Sequence, residues 1–189
     1  MRRGLKAQAE RAAAAARIAL RIGLLSALDP RDYAKHLGLI VLDFGALDLS
    51  KATTHQLTIA DGESWSAMTL KEGKTTAVLV NPSHSATRQR SSLMHEIAHF
   101  ELRHIPSRIE VSKNTGMLLL SDYSDEHESE ADWYGAALLL PRDALAHYRA
   151  RRHTISEIAA IFGVSETLCE WRLRMTGVEI QLLRAQGFR

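Results

Sequence analysis

A histidine, a glutamate and a second histidine stand in the order H-E-x-x-H at His95-Glu96-Ile97-Ala98-His99. If residues 95–99 are helical, positions four apart lie about 40° apart around the axis, so both imidazoles leave one face, a turn apart. Two neutral imidazoles in that relation can share one divalent cation. Glu96, beside the first of them, then reaches a metal-bound water and can take its proton. A catalytic zinc takes three protein ligands and keeps a position for water, so a further ligand must come from elsewhere in the chain. The run His127-Glu128-Ser129-Glu130-Ala131-Asp132 offers one. Glu128 and Asp132 share a second helix face, where Glu128 can complete the ligand set and Asp132 can accept the N–H of a ligand histidine. Glu130 lies about 200° round from Glu128 and should point away from the metal, and His127 also leaves that face.

A different metal pattern, with a glycine three residues and a histidine six residues after the second ligand, is not met: Leu102 and Ile105 stand there. His104 is therefore read as a helix-end residue beside the site. With Tyr123 and His127 it is a candidate for contacting substrate or stabilising an oxyanion. His36, His55, His84, His147 and His153 are scattered and read as surface or internally satisfied histidines.

The composition is compatible with such a centre. Nine histidines in 189 residues is a surplus, and the formal net charge of +2 conceals a partition. Residues 1–36 hold eight Lys/Arg against three acids, residues 142–189 eight against five, and residues 37–141 eight against fourteen. An acidic centre between basic ends suits a cation site better than a uniformly basic nucleic-acid binder. The single cysteine, Cys169, excludes an intramolecular disulfide and points to a reducing, cytoplasmic setting. Arg11, Arg17 and Arg21 interrupt the apolar N-terminal run, which excludes a signal-peptide core. No stretch is long and apolar enough for a membrane span.

The elements that must position these residues follow from periodicity. An apolar stripe at helical spacing predicts a helix over 5–27, stopped by Asp29-Pro30, with a short helix at 31–37. GLIVLDF (38–44), HQLTIA (55–60), SWSAMTL (64–70) and TTAVLVN (75–81) read as strands of a small, largely antiparallel sheet, with a hairpin turn at 72–74. Helices are expected at 86–104 and from Ser124 or Asp125 to Leu140. Asp125 and Glu128 have capping-box spacing at the start of the second. Short strands are expected at RIEV (108–111) and MLLL (117–120), and residues 142–189 are helical in texture. Three units result: N-terminal helices 1–37, a core 38–141 and a C-terminal segment 142–189.

The stretches TRQRSSLMHEIAHFELRH (87–104) and ESEADWYGAALLLP (128–141) together resemble the ImmA/IrrE family of metallo-endopeptidases. The upstream VLVNP (78–82) and the helical C-terminus are also similar, and the likeness extends over roughly 30–180. The resemblance implies an α+β fold with a gluzincin-like zinc peptidase core. It also implies His95, His99 and Glu128 as ligands of Zn²⁺ (Mn²⁺ being the alternative), Glu96 as general base and Asp132 in support. Its implied substrate is a helix-turn-helix repressor controlling stress-response or mobile-element genes. Ser91-Ser92 and Tyr134-Gly135 replace the aromatic and Phe-Ala positions usual in the family, a change of packing and not of ligands.

Residues 154–176 have the texture of a helix-turn-helix, with Thr154 or Ser156 capping one helix, Phe162-Gly163-Val164 turning and Ser165 capping the next. Arg172 and Arg174 could meet phosphates. The alternative function is accordingly a DNA-binding regulator or toxin–antitoxin component with a structural or vestigial metal site. A structural or repressor-docking role for these helices ranks ahead of DNA binding, because the second helix offers few base-reading residues. Cys169 is expected to be a small buried residue within it.

Overall fold

The first helix, α1 (Leu5–Ala19), ends eight residues earlier than its apolar stripe suggests. Arg21 takes a left-handed backbone (φ 57°), and Arg17 turns inward to hold the chain that follows, donating to the Ser26 carbonyl at 2.9 Å. In the computed structural model, which describes residues 1–111 and 118–185, α1 is followed by α2 (Pro30–His36), capped by Asp29. Strand β1 (Ile40–Leu42) comes next.

HQLTIA is not a strand. Ser50 caps a short helix, α3 (Lys51–His55), and Gln56–Ala60 continue it as a wider π-type turn. The Ser50 hydroxyl accepts from Thr53 N at 3.1 Å, and Trp65 Nε1 donates to the Leu57 carbonyl at 2.8 Å. Local caps therefore outweigh the short apolar alternation, which finds no strand partner.

The sheet contains β1, β2 (Ala67–Glu72), β3 (Thr75–Val80), β4 (Arg108–Val111) and β5 (Leu118–Ser121), in the order β1-β3-β2-β5-β4. It is mixed: β1 runs parallel to β3, and the other pairings are antiparallel. The turn between β2 and β3 uses Gly73 at φ 56°, as a tight hairpin requires. Met117, the first residue of the expected MLLL strand, lies outside the described residues, as do 186–189.

Helix α4 (Ala86–Leu102) packs against β2 and β3 on one side and against α5 (Asp125–Leu139) on the other. Helix α1 lies on the far side of α5, where Arg17 Nη1 donates to the Leu138 carbonyl at 3.0 Å. Four helices follow: α6 (Arg142–Ala150), α7 (Ile155–Phe162), α8 (Glu166–Thr176) and α9 (Val178–Ala185). The fold class is α+β, with nine α-helices and five strands among the described residues. No described helix is long and apolar enough to cross a membrane.

The C-terminal pair has the caps that its sequence suggests. Thr154 and Glu157 form a reciprocal capping box on α7, Gly163 turns the chain at φ 61°, and Ser165 caps α8. Cys169 is fully buried. Arg172, expected to meet phosphates, instead points into the protein and is 0% exposed. Its Nε donates to the Leu140 carbonyl at 3.1 Å, and its Nη2 pairs with Glu10 of α1 at 2.6 Å. The carbonyl at the end of α5 and the carboxylate on α1 draw it inward. Arg174 remains exposed.

Candidate metal centre

Ser85 caps α4 by accepting from Arg88 N, and Leu93, Met94, Ile97, Ala98 and Leu102 form its buried face. With that face fixed, His95 and His99 project one turn apart toward an open cleft. Helix α5 starts at Ser124, whose hydroxyl accepts from His127 N at 3.3 Å. The cap is thus Ser124, not the expected Asp125–Glu128 box, and the Glu128 carboxylate is left to reach across. Gly135 makes that reach short. A Cβ there would lie 3.1 Å from the Met94 carbonyl oxygen, so α5 meets α4 at the turn that carries His95. Asp132 and Glu128 stand one and two turns before this contact.

The candidate ligand atoms converge. His95 Nε2 lies 2.9 Å from His99 Nε2 and 3.0 Å from Glu128 Oε2, and His99 Nε2 lies 3.8 Å from the same oxygen. Zinc bonds of about 2.0–2.2 Å in a tetrahedron separate ligand atoms by about 3.3 Å, which these spacings bracket. Asp132 Oδ1 sits 3.0 Å from His95 Nδ1, the ring nitrogen turned away from that point.

The electrostatics suit a cation. Burial opposes the charged form of His95, but hydrogen bonds to Asp132 and Glu128 outweigh it and push its pKa up to about 10. Burial, with the His95 charge beside it, pushes His99 down to about 3. The hydrogen bond to His95 holds Glu128 below the usual carboxylate range. A divalent ion at this point would replace a proton as the positive charge between two nitrogens and a carboxylate.

Glu96 is held separately. Thr69 on β2 donates to its Oε2, and burial raises its pKa against that hydrogen bond. The cleft in front of these groups, about 620 Å³, is bordered by Ser64–Met68, Ser91 and Ser92, and by Asp122 and Tyr123. The Tyr123 ring stacks on His99 with centroids 3.7 Å apart.

A sequence profile described as the IrrE N-terminal-like domain matches residues 42–174. The chain belongs to the ImmA/IrrE metallopeptidase family. No curated protein sequence matches it significantly.

In this ImmA/IrrE chain the His95, His99 and Glu128 donor atoms all lie within 4.8 Å of one another, a set that could hold a metal ion. Of the three candidates for substrate or oxyanion contact, Tyr123 borders the cleft. His104 lies behind His99 with its Nδ1 3.0 Å from His99 Nδ1, and the His127 ring stacks on His104 at 4.2 Å. Glu130 faces His104, away from the ligand point. Two contacts at the site have no short-range sequence signal. Thr69 is one unremarked residue of a β-rich run, and it meets Glu96 only because β2 lies along α4. His104 turns back because Arg103 adopts φ 54°, which no propensity of arginine suggests.

Proposed function

We propose that this ImmA/IrrE member is a zinc-dependent endopeptidase with a gluzincin-like core. The observation that carries the reading is the convergence of His95, His99 and Glu128 beside a glutamate held by its own separate contact. A purely structural zinc site closes its coordination with protein ligands and needs no such base. His95, His99 and Glu128 would hold the ion, with Mn²⁺ the alternative to Zn²⁺. When bound, the ion supplies Lewis acidity to a scissile carbonyl and to a water. Asp132 accepts the His95 Nδ1 proton and so keeps Nε2 turned to the ion. Thr69 occupies one Glu96 oxygen, which leaves the other to take a proton from water and return it to the departing amide nitrogen. Burial, with Glu96 and Glu128 nearby, pushes the Tyr123 hydroxyl up to about 12, so it stays protonated and able to donate to an oxyanion.

The proposed substrate is a helix-turn-helix repressor of stress-response or mobile-element genes, as the family resemblance implies. Residues 38–141 serve as the catalytic unit, flanked by the N-terminal helices 1–37 and the C-terminal segment 142–189. The C-terminal pair acts as a buttress or docking surface. DNA binding through Arg172 is disfavoured by its burial against Glu10 and Leu140.

The experiment is incubation of the zinc-loaded protein with a helix-turn-helix repressor encoded beside it, with fragments identified by mass spectrometry. A defined cut is expected. Glu96→Gln should retain about one zinc per chain and lose roughly 10²–10⁴-fold in cleavage rate. A wild-type protein that takes up no zinc, or an undiminished Glu96→Gln rate, overturns the reading.

A further inference from the structure

The two histidine ligands are supported differently. His95 has the exposed carboxylate of Asp132 behind it, whereas His99 has a buried histidine. Arg103 closes α4 in the left-handed region, and His104 N then donates back to the His99 carbonyl at 3.0 Å. That turn folds the His104 ring behind the His99 ring. Its Nδ1 stands 3.0 Å from His99 Nδ1, and its Nε2 stands 3.4 Å from Glu130 Oε2. The side chains of His104 and Glu130 are 3% and 4% exposed. Arg2 holds Glu130 from the other side, its backbone N–H donating at 2.6 Å and its Nε pairing at 3.2 Å. His127 stacks flat on His104, the ring planes 9° apart.

With His104 neutral, these contacts admit one proton arrangement. Glu130 can only accept, so the His104 proton belongs on Nε2. In a neutral ring Nδ1 is then bare and must accept. His99 therefore donates from Nδ1, and its Nε2 lone pair is directed at His95 Nε2 and Glu128 Oε2. The opposite arrangement would set a bare His104 nitrogen against a carboxylate and place a proton where His99 must offer its lone pair.

We infer that Glu130 and His104 form a positioning relay for the metal centre, fixing the Nδ1–H tautomer of His99 so that Nε2 is presented to the ion. The inference rests on the reading of His95, His99 and Glu128 as a metal site. Neither relay residue borders the cleft in front of the candidate metal ligands.

The test uses the full chain. In zinc-free wild-type protein, long-range ¹H–¹⁵N imidazole spectra should show His99 protonated at Nδ1. A proton on Nε2 overturns the relay, and this outcome needs no variant to fold. Zinc affinity, by competition with a chromogenic chelator, should fall roughly 10–100-fold in His104→Ala. His104→Asn, whose side-chain oxygen can accept the same N–H, should restore most of the loss. In Glu130→Gln the amide can accept or donate, so affinity should fall between wild type and His104→Ala, with His99 present as two tautomers. Wild-type affinity in His104→Ala, or no recovery in His104→Asn, overturns the proposal. A wild type that binds no zinc at all is a separate outcome, and it overturns the metal-site reading instead.

Discussion

Two helix pairs in this molecule use the same local grammar to different ends. Both α4–α5 and α7–α8 are capped by hydroxyl side chains and bury an apolar face. In α4–α5, polar side chains from both helices meet at one point on the edge of a cleft, where the Glu128 and Asp132 carboxylates remain exposed. In α7–α8, Arg172 is turned inward onto a helix end and a carboxylate. The difference is where the polar groups converge. A reactive site needs donors held by the fold yet incompletely satisfied by it. A buttress turns its donors inward, and Arg172 does so with Nε and Nη2 paired and Nη1 buried without a partner.

The sharpest way to break this comparison is Arg172→Ala. Removing one partner from a buried pair should cost about 3 kcal/mol of folding stability, read by urea or thermal unfolding. The Trp133 indole, with Arg172 5.6 Å from its centre, loses a cation as well. If α7–α8 is a buttress, zinc uptake and cleavage per folded molecule should stay unchanged. A variant of normal stability with altered DNA affinity would instead favour the regulatory reading.

This contrast also shows why one pair was legible in the sequence and the other was not. The spacing of His95 and His99 and of Glu128 and Asp132 needs only helical geometry, and two such faces have few ways to share a cation. Arg172 is ambiguous because periodicity gives its angle around α8 but not what lies opposite, and its partner Glu10 is 162 residues away. HQLTIA is not a strand for another reason: a six-residue run of apolar alternation is a weaker signal than a Ser50 cap. The direction of β1 was hidden because strand pattern does not specify whether a neighbour runs parallel. The sequence places His104 near the site, but its contact with His99 follows from the backbone of Arg103.

A smaller effect sharpens the comparison through pH. An ion held here would displace the proton of a charged His95, whose pKa the Asp132 and Glu128 hydrogen bonds push up to about 10 against burial. Zinc affinity should therefore keep rising as pH rises from 7 to 9, by about tenfold per unit for one displaced proton. An unperturbed histidine, with a pKa of about 6.5, would level off near neutrality. Competition titrations at three pH values separate the two, and a plateau above pH 7 would show that His95 is not held protonated. Nothing in α7–α8 should respond over this range.

The smallest effect tests the contact that brings together the two helices carrying the candidate metal ligands. Gly135→Ala would ordinarily help a helix by up to about 1 kcal/mol. Here the new methyl would sit 3.1 Å from the Met94 carbonyl oxygen and 3.5 Å from His95 N, both backbone atoms of a buried helix. Neither can swing aside as a flexible side chain would, so α4 and α5 must part by a few tenths of an ångström. Crowding of this kind costs roughly 1–3 kcal/mol, which should cancel the propensity gain and leave a net loss of about 1 kcal/mol. Because Asp132 and Glu128 lie on the displaced helix, zinc affinity should weaken along with stability. The equivalent change at Gly163, between α7 and α8, should cost stability through its φ of 61° while leaving zinc affinity untouched. Equal zinc affinity in the two variants would mean that the close approach at Gly135 does not set the spacing of the ligands.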